Sequence, residues 1–555
     1  MMDSSEFTLL YNVLGYERYG TKKAFVRSTS SVKSILIGNE SRWFLRNEYG
    51  SIVQSGKLLD QGYSFGMQLW SSDFSCVAME GKYFLHVVIT DAKGNQIWKD
   101  TSEPFYIQHH IYSQHLLTPL TVYNAQARIA SEQEGGGYYD CNSRMGEARS
   151  HGIFLNGLVQ AYTLGKDKFL ESHHKELHNF ANIAFDYLLS LHSEKTGEFA
   201  PAHSCRPNVE GNLWAFNSYE ALYGFSAYLH LMADTDPERA NLDNYHRAEK
   251  SAEYVIQNFT DDMAEQFGYP QREFMVAVYY HLYCYARDPK WKDKGIALME
   301  KILESLNLRK TCRESRHAIP MLEGIYYFMK EFPKHPRYSV WMEHLQRIKD
   351  LYYKVLPERN AFSIMPISDA SRTVIEWDDM QSLPGNEQVY GNNEARFSGN
   401  KSGASRQFVT RRAANAMDAC FIGELTGDDL MEEIATGELG YVCGINPGFK
   451  QRFVENPPTT KKTAACALIA NMCNRHATCW KRWFFEPKNS KWMSIMNGFL
   501  IENGEYYYED TNDDSWWYSE TFIKHDGAYA YAYCIYENYI DNLQKRCHAQ
   551  GTKTN

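Results

Sequence analysis

The residues best equipped for chemistry lie near the C-terminus, in the run Tyr508-Glu509-Asp510-Thr511-Asn512-Asp513-Asp514-Ser515-Trp516-Trp517-Tyr518-Ser519-Glu520, directly before a helical pattern over 521–543. A carboxylic acid among aromatic rings loses hydration, so its pKa rises and it can protonate a leaving oxygen. Rings such as Trp516 and Trp517 also stack on sugar faces. Glu520 is therefore the first candidate for a catalytic acid. A plainer role fits the same residues: the tryptophans as core, and Asp513, Asp514 and Glu520 as acidic groups favouring a helix N-terminus.

The elements that position such a residue need a large frame, and the chain supplies one. At 555 residues it exceeds one ordinary core, which predicts a small domain beside a large one. Aromatic content is high, 14% with 39 Tyr and 12 Trp, as suits either a sugar cleft or a large helical core. A net charge of -10 without any basic run speaks against a nucleic-acid partner. No stretch is apolar enough to predict a membrane span, and the N-terminus lacks the pattern of a secretion signal. The 12 Cys are scattered rather than regularly spaced, so reduced thiols and a cytoplasmic location are expected. Cys473, His476 and Cys479 have the spacing of metal ligands on one helical face, but three residues do not complete a set, and no metal or cofactor is predicted.

Residues 7 to about 110 alternate in strand fashion, in runs such as 23–26, 34–37, 43–45, 51–53 and 83–89, punctuated by Gly and Asn. That pattern predicts an immunoglobulin-like β-sandwich. Helical periodicity takes over from about Pro119. Segments near 152–164, 176–192, 215–232, 242–258, 272–286, 291–306, 317–331, 339–355, 404–426, 428–442, 460–474 and 519–543 read as helices, a number that suits an (α/α) toroid with its active residues on loops at one mouth. The stretch 361–405 has little helical pattern and reads as an excursion over the cleft. The domains expected are 1–112, a β-sandwich; 113–546, a helical barrel; and 547–555, a tail.

The order of these elements, with several motifs, resembles family 9 glycoside hydrolases, the inverting cellulase-type enzymes with an N-terminal immunoglobulin-like domain. Tyr11-Asn12-Val13-Leu14-Gly15-Tyr16 with Lys22-Lys23-Ala24 is similar to the opening of that domain, and Asp73-Phe74-Ser75, Gly81-Lys82-Tyr83 and Ser102-Glu103-Pro104-Phe105-Tyr106-Ile107 to its later strands. Gly440-Tyr441-Val442-Cys443-Gly444-Ile445-Asn446-Pro447 resembles the Gly-Ile/Leu-Asn-Pro segment, and Glu520 with Asp526-Gly527-Ala528 the acid motif. The resemblance implies an immunoglobulin-like β-sandwich followed by an all-α (α/α)6 barrel, with Glu520 as general acid.

Two departures from that family matter. Where members carry Asp-Ala-Gly-Asp, this chain reads Gly136-Gly137-Tyr138-Tyr139-Asp140-Cys141-Asn142-Ser143-Arg144-Met145-Gly146-Glu147. Asp140 fits the first acidic position, but Ser143 stands where the base is expected, and a serine cannot deprotonate water. An inverting enzyme needs a second carboxylate about 6.5–9.5 Å from the acid, so Asp140 alone or Glu147 from the following turn must take that role. Otherwise Asp140 only caps the helix ahead. The second departure is Asn456-Pro457-Pro458-Thr459-Thr460-Lys461-Lys462, in which Lys461 and Lys462 replace the family's histidines and suit an acidic sugar, unless they are simply a solvated pair.

His203, Arg206 and Trp214, on a polar turn between helices, offer one subsite wall. Trp377 with Asp378 and Asp379 offers another, suited to an amino sugar. Arg316 and His317, at the start of an apolar helix, read equally well as packing or capping groups. The leading expectation is a hydrolase of a modified oligo- or polysaccharide rather than of plain cellulose. The alternatives are a carbohydrate-binding or assembly protein that has lost its base, and a lyase in which Tyr139 or His203 removes a proton beside a uronate held by Lys461 or Lys462.

Overall fold

The structure, a computed structural model, describes residues 7–28, 37–64, 67–140, 146–203, 213–258, 272–306, 319–355, 360–365, 408–446, 450–453, 467–470, 491–496, 500–502, 505–510 and 521–551. Its N-terminal part is a sandwich of two sheets. One has the order β1 (Phe7–Leu10), β3 (Lys23–Ser28), β7 (Met67–Asp73), β6 (Leu59–Ser64). The other runs β2 (Gly15–Glu17), β10 (Phe105–Gln108), β8 (Gly81–Thr90), β4 (Arg42–Asn47), β5 (Ile52–Lys57), with β9 (Gln96–Thr101) also on β8. In β8 the alternation is plain: Tyr83, Leu85, Val87 and Ile89 are buried between residues that are only partly so. β10 lies antiparallel to β8 and parallel to β2, which brings the end of the sandwich beside Glu17.

From Ser113 the chain is helical. The wide turns Ser113–Leu117 and Pro119–Tyr123 lead into α1 (Asn124–Arg128), a segment the sequence pattern did not resolve. There follow α2 (Ala148–Leu164), α3 (Glu171–Leu191), α4 (Leu213–Leu231), α5 (Leu242–Asn258), α6 (Arg272–Ala286), α7 (Pro289–Ser305), α8 (Glu323–Glu331), α9 (Tyr338–Ile348), α10 (Phe408–Thr426), α11 (Leu430–Gly440) and α12 (Ile523–Gly551). Among the described residues α2, α4, α6, α8, α10 and α12 each touch the next in cyclic order, and α12 closes on α2. The intervening helices pack outside this ring. This is the (α/α)6 barrel.

Sequence explains which helices go inside. A helix apolar on one stripe faces a core, whereas one apolar all round must be surrounded. In α5 the buried positions Tyr245, Ala248, Ala252 and Val255 recur at helical spacing beside charged residues. In α2, by contrast, every residue from Ser150 to Ala161 is buried, as is every residue of α4 from Ser218 to Leu229. Inner helices also touch closely: a side chain at Gly157 of α2 would meet the Gly527 backbone of α12 at 2.3–2.6 Å. Asp288 caps α7 by accepting from Lys290 N at 2.9 Å, with Pro289 in the first turn, the usual chemistry of a helix start.

Several expectations need correction. Ile469–Ala470, inside the predicted helix 460–474, form strand β12, paired antiparallel with β13 (Ser494–Ile495). The acidic-aromatic run read as a loop begins in a strand: β15 (Glu505–Asp510) lies between β11 (Lys450–Phe453) and β14 (Leu500–Glu502). Short β-ladders between distant segments leave no period to read. The tail expected from 547 is still helix, because α12 continues to Gly551. Among the described residues no helix is long and apolar enough to cross a membrane.

Candidate active site

The segment 129–140 turns sharply before reaching Asp140. Gly135, Gly136 and Gly137 all have φ near +70 to +80 (76, 69 and 81°), a region that favours glycine. At Gly137 space is also closed: a side chain would meet Tyr187 at 2.6 Å and His151 Nε2 at 2.8 Å. His151, on α2, accepts from Tyr138 N at 2.9 Å through Nε2, so its other nitrogen donates to Glu147 O at 2.8 Å. Burial lowers the His151 pKa to about 4, which keeps this neutral tautomer in place. Tyr138 Oη donates to Phe180 O at 2.8 Å. The turn is thus tied to α2 and α3 on both sides.

Beyond it, Arg128 and Asp526 fasten three remote segments together. Arg128 is wholly buried and donates to Asp140 O (3.0 Å), Ser494 Oγ (3.0 Å), Thr521 Oγ1 (2.9 Å) and Asn124 Oδ1 (2.6 Å). Asp526 accepts from Asn124 Nδ2 (2.6 Å), Ser494 Oγ (2.7 Å) and Ile495 N (2.8 Å). Ile523 N completes the seam by donating to Asp140 O at 2.8 Å. Asp140 and the first turn of α12 are therefore fixed side by side. Burial raises the Asp526 pKa to about 7, against the opposing pull of Arg128.

At this end of the ring, titratable groups collect from four elements. Asp140 is wholly buried, and neither of its carboxyl oxygens makes a hydrogen bond of good geometry among the described residues; the same holds for Ser150 Oγ close by. Burial first, and then the Glu147 charge, push the Asp140 pKa well above the usual carboxylate range. For Glu147 burial also pulls upward, but the charge and hydrogen bond of Arg149, whose Nε lies 2.8 Å from Glu147 Oε2, outweigh it and the net shift is downward. Glu220 of α4 is buried, which raises its pKa, and its Oε2 lacks a partner among the described residues. Lys524 of α12 is buried as well, and desolvation with the neighbouring Arg149 charge lowers its pKa to about 7. Burial thus pushes Asp140 and Glu220 towards their protonated forms, whereas Arg149 favours the ionised form of Glu147.

Of the residues singled out from sequence, Asp140, Glu147, Tyr139 and His203 are described. Asp140 and Glu147 come together; Tyr139, half-buried, precedes them, with its N donating to Arg128 O at 2.9 Å. His203 stands behind the glycine turn, its Nε2 2.9 Å from Ser190 Oγ and its ring against Tyr187. Trp214 lies in the first turn of α4, where only the backbone is described. Glu520, Arg206, Trp377, Lys461, Lys462, Trp516 and Trp517 fall outside the described residues, as do Ser143, Asp378, Asp379, Arg316, His317, Cys473, His476 and Cys479. Sequence reasoning passed over Arg128, Arg149, Glu220 and Lys524. A signal existed for one of them, since Glu220 is the single Asp, Glu, Lys or Arg in an otherwise largely apolar helix run.

No family model matches the sequence, and no curated protein matches it either. The fold, however, has solved counterparts. A metagenome-derived glycoside hydrolase family 9 endoglucanase superposes with a TM-score of 0.62 over 96% of this chain and 100% of its own, at 12% identity. A family 9 enzyme of Bacteroides ovatus gives 0.58 over 96% and 99%, at 14% identity. AaCel9A, solved with a cellobiose-like isofagomine, gives 0.59 over 96% and 100%, at 12% identity. The architecture, a β-sandwich followed by a helical toroid, is the fold of these solved family 9 structures, and this chain shares it over nearly its whole length.

Proposed function

We propose that this protein is a glycoside hydrolase that cleaves a modified oligo- or polysaccharide by single displacement at the mouth of the barrel. The observation that carries the reading is the buried Asp140 carboxyl beside Glu147, itself paired with Arg149 at 2.8 Å, on the segment bonded to the start of α12, three residues beyond Glu520. Glu520 is assigned as the acid that protonates the glycosidic oxygen. Glu147 and Asp140 act as a unit that shares one proton: Glu147 carries the charge that can draw a proton from water, and Asp140 holds the proton that keeps the pair from double ionisation. This shifts the burden of the base from Asp140 towards Glu147 and accounts for a competent site with serine at position 143. Lys461 and Lys462 favour an acidic sugar, and Asp378 and Asp379 an amino sugar.

The test is a panel of neutral, amino and acidic oligosaccharides with products read by mass. Glu520→Gln should lower turnover by about 10²–10⁴-fold while leaving binding intact, and Glu147→Gln should fall in the same range. Unchanged turnover in Glu520→Gln removes the reading. The second reading, a carbohydrate-binding protein without turnover, draws on the complete burial of Asp140 and on Ser143. It predicts saturable binding of a panel member by the wild type and no product from any.

A further inference from the structure

Away from the barrel mouth, the junction between the sandwich and α12 gathers a second set of ligating side chains. His109 and His110 directly follow β10, and Asp541 lies on α12, 431 positions from His110. One oxygen, Asp541 Oδ1, is 2.9 Å from His110 Nε2 and 3.3 Å from His109 Nε2. All three atoms fall within 4.8 Å of one another. The far side of His109 is fixed: its Nδ1 is 3.0 Å from Glu17 Oε1, and Glu17 is buried in β2. A carboxylate only accepts, so Nδ1 carries the proton, and in the neutral ring the Nε2 lone pair faces the Asp541 oxygen. Either a proton on Nε2, which the Glu17 hydrogen bond favours, or a metal ion then lies between the two acceptors.

The geometry points to a binding site for a divalent transition-metal ion of zinc type, formed by His109 Nε2, His110 Nε2 and Asp541 Oδ1, that clasps the β-sandwich to the last barrel helix. Three features fit that ion rather than a chance contact. Bonds of about 2.0–2.2 Å in a tetrahedral site place ligand atoms roughly 3.3–3.5 Å apart, which the 3.3 Å between His109 Nε2 and Asp541 Oδ1 matches, while the 2.9 Å from His110 Nε2 would open slightly on binding. Glu17 behind His109 supplies the carboxylate that orients a metal-bound imidazole and raises its basicity. His110 adopts φ +55°, an uncommon backbone state for a non-glycine residue, and this sets the two rings face to face with centroids 3.8 Å apart. The side chains of His109, His110 and Asp541 remain 31%, 23% and 31% exposed, which leaves a path for the ion and room for a water as fourth ligand. The rival occupant of the same space is a proton, making a cluster of hydrogen bonds only.

The test uses the full chain, stripped with a chelator, exposed to Zn²⁺ and passed through gel filtration before metal is counted. Wild type should retain one equivalent more than Asp541→Asn or His110→Asn, the second of which keeps a residue tolerant of positive φ. Co²⁺ should give the strong visible absorption of a four-coordinate site in wild type alone, and Zn²⁺ should raise the wild-type melting temperature. Each variant should bind zinc more than about tenfold more weakly. Equal zinc in all three proteins, or none in the wild type, overturns the site and leaves the proton-bridged cluster. The outcome does not depend on the hydrolase reading, since no readout is enzymatic.

Discussion

The seam between the two domains and the mouth of the barrel are both crowded with charge, yet they treat it oppositely. At the seam, Glu432 of α11 accepts from Thr21 N (3.1 Å), Thr21 Oγ1 (2.6 Å), Thr436 Oγ1 (2.6 Å) and Tyr536 Oη (2.9 Å), while Lys23 meets Glu433 at 2.7 Å. At the mouth, buried carboxyl oxygens of Asp140 and Glu220 make no hydrogen bond of good geometry among the described residues, although Ser150 and Glu147 lie close to Asp140. A buried polar group without a partner costs about 1–3 kcal/mol. The seam ties its polar groups down with short hydrogen bonds, whereas among the described residues the mouth leaves some carboxyl oxygens without one of good geometry.

The sharpest way to break that contrast is Arg128→Ala, because Arg128 borders the mouth yet behaves like a seam residue. Its removal leaves Asp526 buried without its countercharge and frees Asp140 O, so unfolding free energy should fall by about 3–5 kcal/mol in denaturant titration. A loss below about 1 kcal/mol would mean that Arg128 does not fasten these segments.

Asp140→Asn should have a smaller and pH-dependent effect. A carboxyl whose folded pKa is raised keeps its proton in the native state when the unfolded chain has lost it. Its stabilisation is therefore full below about pH 4 and declines as pH rises through the raised value. Asparagine has no such slope. The melting temperature of the variant relative to wild type should climb as pH rises above about pH 4. A flat difference would show that Asp140 is ionised in the fold. Thr21→Val is the mildest test: it removes one hydroxyl bond to Glu432, should cost about 1.5–3 kcal/mol in denaturant titration, and should leave any glycosidase activity unchanged.

Much of the frame was legible beforehand because it rests on local periodicity. The predicted helices 242–258 and 272–286 coincide with α5 and α6, and the strand run 83–89 lies within β8. The site was less so. Asp140 and Glu147 were found through a motif seven residues apart, whereas Glu220 and Lys524 join them only through the ring closure that brings α2, α4 and α12 into contact. The helix expected over 460–474 failed at Ile469–Ala470 because a two-residue strand takes its identity from its partner at Ser494–Ile495. His109, His110 and Asp541 escaped for the same reason, being separated by most of the chain.

By itself the sequence determined the succession of a strand-rich part and a helical part, since alternation and helical spacing are properties of neighbouring residues; the toroid was an expectation from helix count and the family resemblance. Only the tertiary structure decided that Asp140 is driven towards its protonated form while Arg149 favours the charged form of Glu147. That depends on desolvation and on cations delivered from remote segments, and neither Arg149 beside Glu147 nor the complete burial of Asp140 has a counterpart in linear spacing.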